Sequence, residues 1–134
     1  MRRYIVDSRL AKWLLFPSCH TITLGCFIFT KKKELSEKTK RHETIHMMQW
    51  MEVTIAALIV FGLLSWLISP YWMIVSPLVY YVWYVVEWLV RLPFGNAYRN
   101  ISFEREAFAN DEEENYLMER ELFNFIRYGK DSNA

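Results

Sequence analysis

Read by polarity alone, the chain falls into four stretches. Residues 13–29 are largely apolar but interrupted by Pro17, His20 and Gly25. A charged segment follows, beginning at Lys31-Lys32-Lys33. Between Val53 and Val90 the only charged residue is Glu87. From Arg91 onward the chain turns polar again. Within the first stretch, Cys19 to Thr30 is β-branched and aromatic with a glycine at its centre, which predicts two short strands or a bent hairpin. The competing reading of 13–29 is a membrane span, which Pro17 and Gly25 make a poor one.

Ser36 is an N-cap residue and Glu37 suits the first turn of a helix. No proline or glycine then interrupts the chain until Gly62. Val53 to Ile68 would cover about 24 Å as a helix, slightly short of a hydrocarbon core, and the residues from Met47 to Met51 make up the length. Ser69-Pro70-Tyr71-Trp72 breaks the helix, and a second apolar run follows. The pattern predicts a transmembrane hairpin with spans at about 51–69 and 72–90. Both of its open ends are basic, with Lys31, Lys32, Lys33, Lys38, Lys40 and Arg41 on one and Arg91 and Arg99 on the other. The positive-inside rule then places both termini in the cytoplasm. A last helix is predicted from about Ser102 to Phe125. The fold class expected is therefore a mainly α membrane protein: one domain over 1–134, a two-span hairpin, a small β element, and a C-terminal helix returning to the site.

Composition sharpens this picture. Of 134 residues, 53% are hydrophobic and 17% aromatic, rich for so short a chain and in keeping with a membrane. Cys19 and Cys26 match no zinc-knuckle or redox spacing and read as small packed hydrophobes. The basic residues at 31–33 and 38–41 lack an accompanying aromatic stacking pattern. They read as a topology signal and a contact for anionic lipid, with no nucleic-acid partner.

The sharpest chemical signal is His42-Glu43-Thr44-Ile45-His46. A helix turns about 100° per residue, so His42 and His46 share a face one turn apart and can reach one tetrahedral zinc. Glu43 beside them can take a proton from a zinc-bound water, acting as general base. A catalytic zinc needs a third protein ligand. His20 and an acid of the C-terminal helix are the candidates.

That later helix contains Glu106-Ala107-Phe108-Ala109-Asn110. Together with the first motif it resembles the gluzincin class of zinc metallopeptidases, which pair a His-Glu-x-x-His helix with a helix bearing Glu-x-x-Ala-Asp or Glu-x-x-Ala-Asn. The resemblance covers roughly residues 19–125. It implies Glu106 as third ligand, Asn110 supporting a histidine from behind, and the preceding strand as the edge on which a substrate backbone aligns. Glu104-Arg105-Glu106-Ala107 is a shorter match and makes Glu104 the alternative ligand. No His or Tyr stands out as an oxyanion stabiliser. Gln49, seven residues after His42 on nearly the same face, is a candidate to bond a ligand or substrate. Glu87 is placed to pair with Arg91 one turn later.

The expected function is peptide-bond hydrolysis by a zinc endopeptidase at the cytoplasmic membrane surface, acting on a membrane-proximal peptide or protein. The alternative is a non-catalytic membrane adaptor whose zinc is structural or absent.

Overall fold

The computed structural model describes residues 4–14 and 20–129. The chain is mostly helical with one small sheet. In order come β1 (Tyr4–Ile5), α1 (Arg9–Leu14), β2 (Thr21–Leu24), β3 (Phe27–Thr30), α2 (Glu37–Leu67) and α3 (Trp72–Val75). A 3-10 turn at Ser76–Leu78 leads into α4 (Val79–Arg91). After a second 3-10 turn come α5 (Ala97–Asn100), α6 (Ser102–Asn110), α7 (Tyr116–Glu119) and α8 (Phe125–Gly129).

The strands expected between Cys19 and Thr30 form an antiparallel hairpin, Thr21 opposite Thr30 and Leu24 opposite Phe27. A span over 13–29 is thereby excluded for the segment from Thr21 to Thr30; residues 15–19, which include Cys19, lie outside the described residues. β1 adds parallel to β3, so the order is β1-β3-β2 and β2 is an edge. Gly25 turns the hairpin at φ +59°, a conformation that other residues resist. Its amide donates to the Tyr81 hydroxyl at 2.7 Å, and the Trp50 ring lies 3.4 Å from where a Cβ would stand. The hairpin tip is thus pinned against both α2 and α4.

Ser36 caps α2 as expected, its side chain accepting from the Thr39 amide. α2 and the run Trp72–Arg91 are both long and apolar enough to cross a membrane. Their apolar windows are only 17% and 11% buried within the protein, which sets them apart from the core helices of a soluble domain. Ile59, Leu63, Trp66, Ile74, Val82 and Val90 all face outward. The packed core lies against the middle of α2, where Val53, Tyr80, Ile101, Phe103 and Phe125 meet.

The single C-terminal helix expected from Ser102 to Phe125 is instead three short ones. α6 stops at Asn110 ahead of the acidic run Asp111-Glu112-Glu113-Glu114, and Phe123 takes φ 56°. The break has an electrostatic reason. Arg120, whose side chain is wholly buried, bridges Glu52 of α2 and Glu106 of α6. The strained Phe123 places its own amide on Glu52 Oε2 at 3.0 Å. A continuous helix could not deliver both groups to Glu52. Burial works against the Arg120 charge, but its bonds to the two carboxylates outweigh that and hold its pKa above the ordinary value.

Removing Arg120 would leave two buried carboxylates without a cation. Arg120→Met should destabilise the protein by about 3–5 kcal/mol, the usual cost of breaking a buried ion pair from one side. Thermal unfolding in detergent beside wild type measures it. An unchanged melting temperature would mean that the cluster does not hold α6 in place.

Candidate metal centre

α2 presents His42 and His46 one turn apart, both buried, as the sequence predicts. Their Nε2 atoms face each other at 3.2 Å. Glu104 closes the triangle: its Oε2 lies 3.4 Å from His42 Nε2 and its Oε1 3.4 Å from His46 Nε2. A tetrahedral zinc about 2.0–2.1 Å from each ligand requires ligand atoms roughly 3.3 Å apart. The histidine pair agrees with that spacing; Glu104 meets each histidine with a different oxygen, and one ligand atom from each of the three residues lies within 4.8 Å of the others.

The outer partners decide which atoms point inward. His46 Nδ1 meets Gln49 Oε1 at 2.9 Å, and His42 Nδ1 faces Asp111 Oδ2 at 3.4 Å. Facing acceptors, both Nδ1 atoms carry the hydrogen, an assignment made from the bonding pattern. Both Nε2 lone pairs then converge on a carboxylate. Such a cluster repels itself unless a metal ion or a proton sits within it. Glu104 Oε2 is also buried without a hydrogen-bond partner, as a vacant ligand position would be.

Glu106, the third ligand implied by the family resemblance, is placed elsewhere. Its oxygens receive Gln49 Nε2 at 2.9 Å, the Tyr116 hydroxyl at 2.8 Å and the Arg120 guanidinium. Two residues along a helix are about 200° apart, so α6 can aim only one of the two acids at the histidines. The Arg120 bridge takes Glu106, and Glu104 turns to the site. Asn110 is likewise not behind a histidine: it bonds the Glu106 carbonyl and the Tyr128 hydroxyl. Asp111, one residue on, takes that place. Gln49 does bond a motif histidine, His46, and also anchors to the Phe103 carbonyl at 3.0 Å. His20 is exposed, and the cluster of possible metal ligands found among the described residues does not include it. Glu87 pairs with Arg91 as expected and also accepts from the Ser102 amide and hydroxyl.

Beside the cluster lies a cavity of about 250 Å³. β2 forms one wall, Tyr80, Tyr81, Tyr84 and Tyr98 others, and Glu43, His46 and Glu104 its floor. Thr23 of β2 donates to Glu43 Oε2 at 2.6 Å, tying the strand to the motif helix. In the sequence Tyr80, Tyr81 and Tyr84 read as the interface belt and packing of a span in preference to an aromatic ligand box, so the pattern does not mark them as cavity walls.

Neither a family model, nor a curated protein, nor a solved structure matches this chain. What the site can do rests on its own geometry.

Glu104→Ala should abolish stoichiometric zinc binding, whereas Glu106→Gln, which keeps the reach of the side chain, should retain it. Elemental analysis of the two purified variants checks this. Zinc retained in the first and lost in the second would return the ligand role to Glu106.

Proposed function

We propose that the protein is a membrane-anchored zinc metalloendopeptidase with His42, His46 and Glu104 as its metal ligands and Glu43 as its general base. The observation that carries the reading is the convergence of two histidine Nε2 atoms, on the helix that also bears Glu43, with a buried carboxylate of α6, one ligand atom from each lying within 4.8 Å of the others. A zinc ion held there would supply a Lewis acid for the scissile carbonyl and lower the pKa of water to about 7.

The chain's own groups do the rest. Glu43 Oε2 is occupied by the Thr23 hydroxyl, so Oε1 is the atom free to take a proton and return it to the leaving amine. β2, as a sheet edge, offers backbone groups to an extended peptide, which would add to it as a further strand. The four tyrosines shield the site from water. Among the described residues, the charged side chains lining the cavity are Glu43 and Glu104, with no cation to hold a terminal carboxylate, and this favours cleavage within a chain. Three ligands without a fourth among the described residues suit a catalytic zinc better than the closed site of an adaptor.

The outward apolar faces of α2 and α4 support a two-span anchor. The basic residues at both open ends favour cytoplasmic termini and a substrate near the inner membrane surface. Reporter fusions after residue 134 and before residue 1 should both report from the cytoplasm. An external signal from either end would refute the hairpin.

Glu43→Gln separates enzyme from adaptor. Incubated in vesicles with a mixed peptide library, it should keep its zinc yet release products at least about 100-fold more slowly, as for loss of a general base. His46→Ala should lose the metal as well. Glu43→Gln protein cleaving at the wild-type rate, or wild type releasing no products at all while fully zinc-loaded, would end the peptidase reading.

A further inference from the structure

Among the groups around the cluster, one has a contact that the reading above leaves unused. The Tyr84 hydroxyl donates to Glu104 Oε1 at 2.7 Å. The other oxygen of the same carboxylate, Oε2, is buried and has no hydrogen-bond partner. Tyr84 belongs to α4, so this contact, with that of the Tyr80 hydroxyl 3.5 Å from His46 Nδ1, is where the second apolar helix reaches the candidate ligands.

We infer that Tyr84 is a positioning residue that holds Glu104 to one-oxygen coordination and thereby keeps the fourth metal position open. The inference rests on the metal reading above. A carboxylate has two equivalent oxygens, and both oxygens of Glu104 border a histidine Nε2 at 3.4 Å. Unrestrained, it could offer both to one ion and occupy the position that a substrate carbonyl requires. A phenol bonded to Oε1 disfavours that option: one of this oxygen's two lone pairs is committed to the O–H, which makes it the weaker donor and leaves Oε2 the better one to coordinate. Hydrogen bonds of this kind to ligating carboxylates set both metal affinity and ligand geometry. Tyr84 is secured in turn by its ring, which lies parallel to Phe103 with centroids 6.2 Å apart and an interplanar angle of 2°.

The stacking makes the test clean, because Tyr84→Phe removes only the hydroxyl. Tyr81→Phe is the control: it removes a phenol from the same helix whose partner is the Gly25 amide. The probe is Co2+, added to metal-free full-length protein in detergent, with Zn2+ affinity measured alongside by chelator competition. Wild type and Tyr81→Phe should give the intense visible bands of four-coordinate cobalt. Tyr84→Phe should give the weaker bands of five-coordinate cobalt, with zinc affinity changed by about 10–100-fold, the range for loss of a ligand's outer partner. A Tyr84→Phe spectrum and affinity identical to wild type would overturn the role of the phenol and leave the metal site standing. No cobalt or zinc uptake by wild type would overturn both. If Tyr81→Phe shifted the spectrum equally, the effect would come from general loosening of α4, and the specific role would fall.

Discussion

A single buried guanidinium sets the geometry of this molecule. Arg120 lies between Glu52 and Glu106 with its side chain out of solvent, so three charges share one interior site. Three charges of that kind are tolerable only when their remaining lone pairs are met. The Phe123 amide, the Tyr116 hydroxyl and the Gln49 amide meet them. Because these donors come from α2, α7 and the turn before α8, the cluster fixes the rotation of α6 against α2. The candidate metal ligands inherit their positions from that rotation.

Local signals in the sequence are sufficient for elements that local forces specify. The Ser36 cap, the unbroken run to Gly62, the β-branched and aromatic run around Gly25 and the apolar stretches on either side of Pro70 all appear where the pattern places them. The spacing of His42 and His46 needs only the helix itself. The choice between Glu104 and Glu106 was not legible in this way. It depends on a buried arginine 14 residues further on, in a segment whose pattern reads as a plain helix. The same displacement exchanges Asn110 for Asp111, since one residue of helix is about 100° of rotation. One signal was available: Arg120 lies within a segment carrying many more acids than bases, and could have been asked which acid it was meant to reach.

The apolar helices do more than present an outward surface. α4 carries valines on the outside and tyrosines on the inside, and three of those tyrosines line the cavity. Tyr81 holds the hairpin tip and Tyr84 holds Glu104. The element that looks most like a passive anchor by composition is therefore also a wall of the site. With Trp50 donating to the Pro77 carbonyl at 3.0 Å, α2 and the turn leading into α4 are fixed at the same level.

Gln49 has a property of a different kind. Its oxygen faces the hydrogen-bearing nitrogen of His46, while its nitrogen faces the Glu106 carboxylate and the Phe103 carbonyl. Turned over, the amide would set donor against donor on one side and acceptor against acceptor on the other. A carboxylate of the same shape would repel Glu106, a methionine would satisfy neither neighbour, and asparagine has the right groups on too short a stem. Position 49 is thus a lock that only one of the twenty side chains opens, and a drift of sequence around the site would be expected to leave this glutamine untouched.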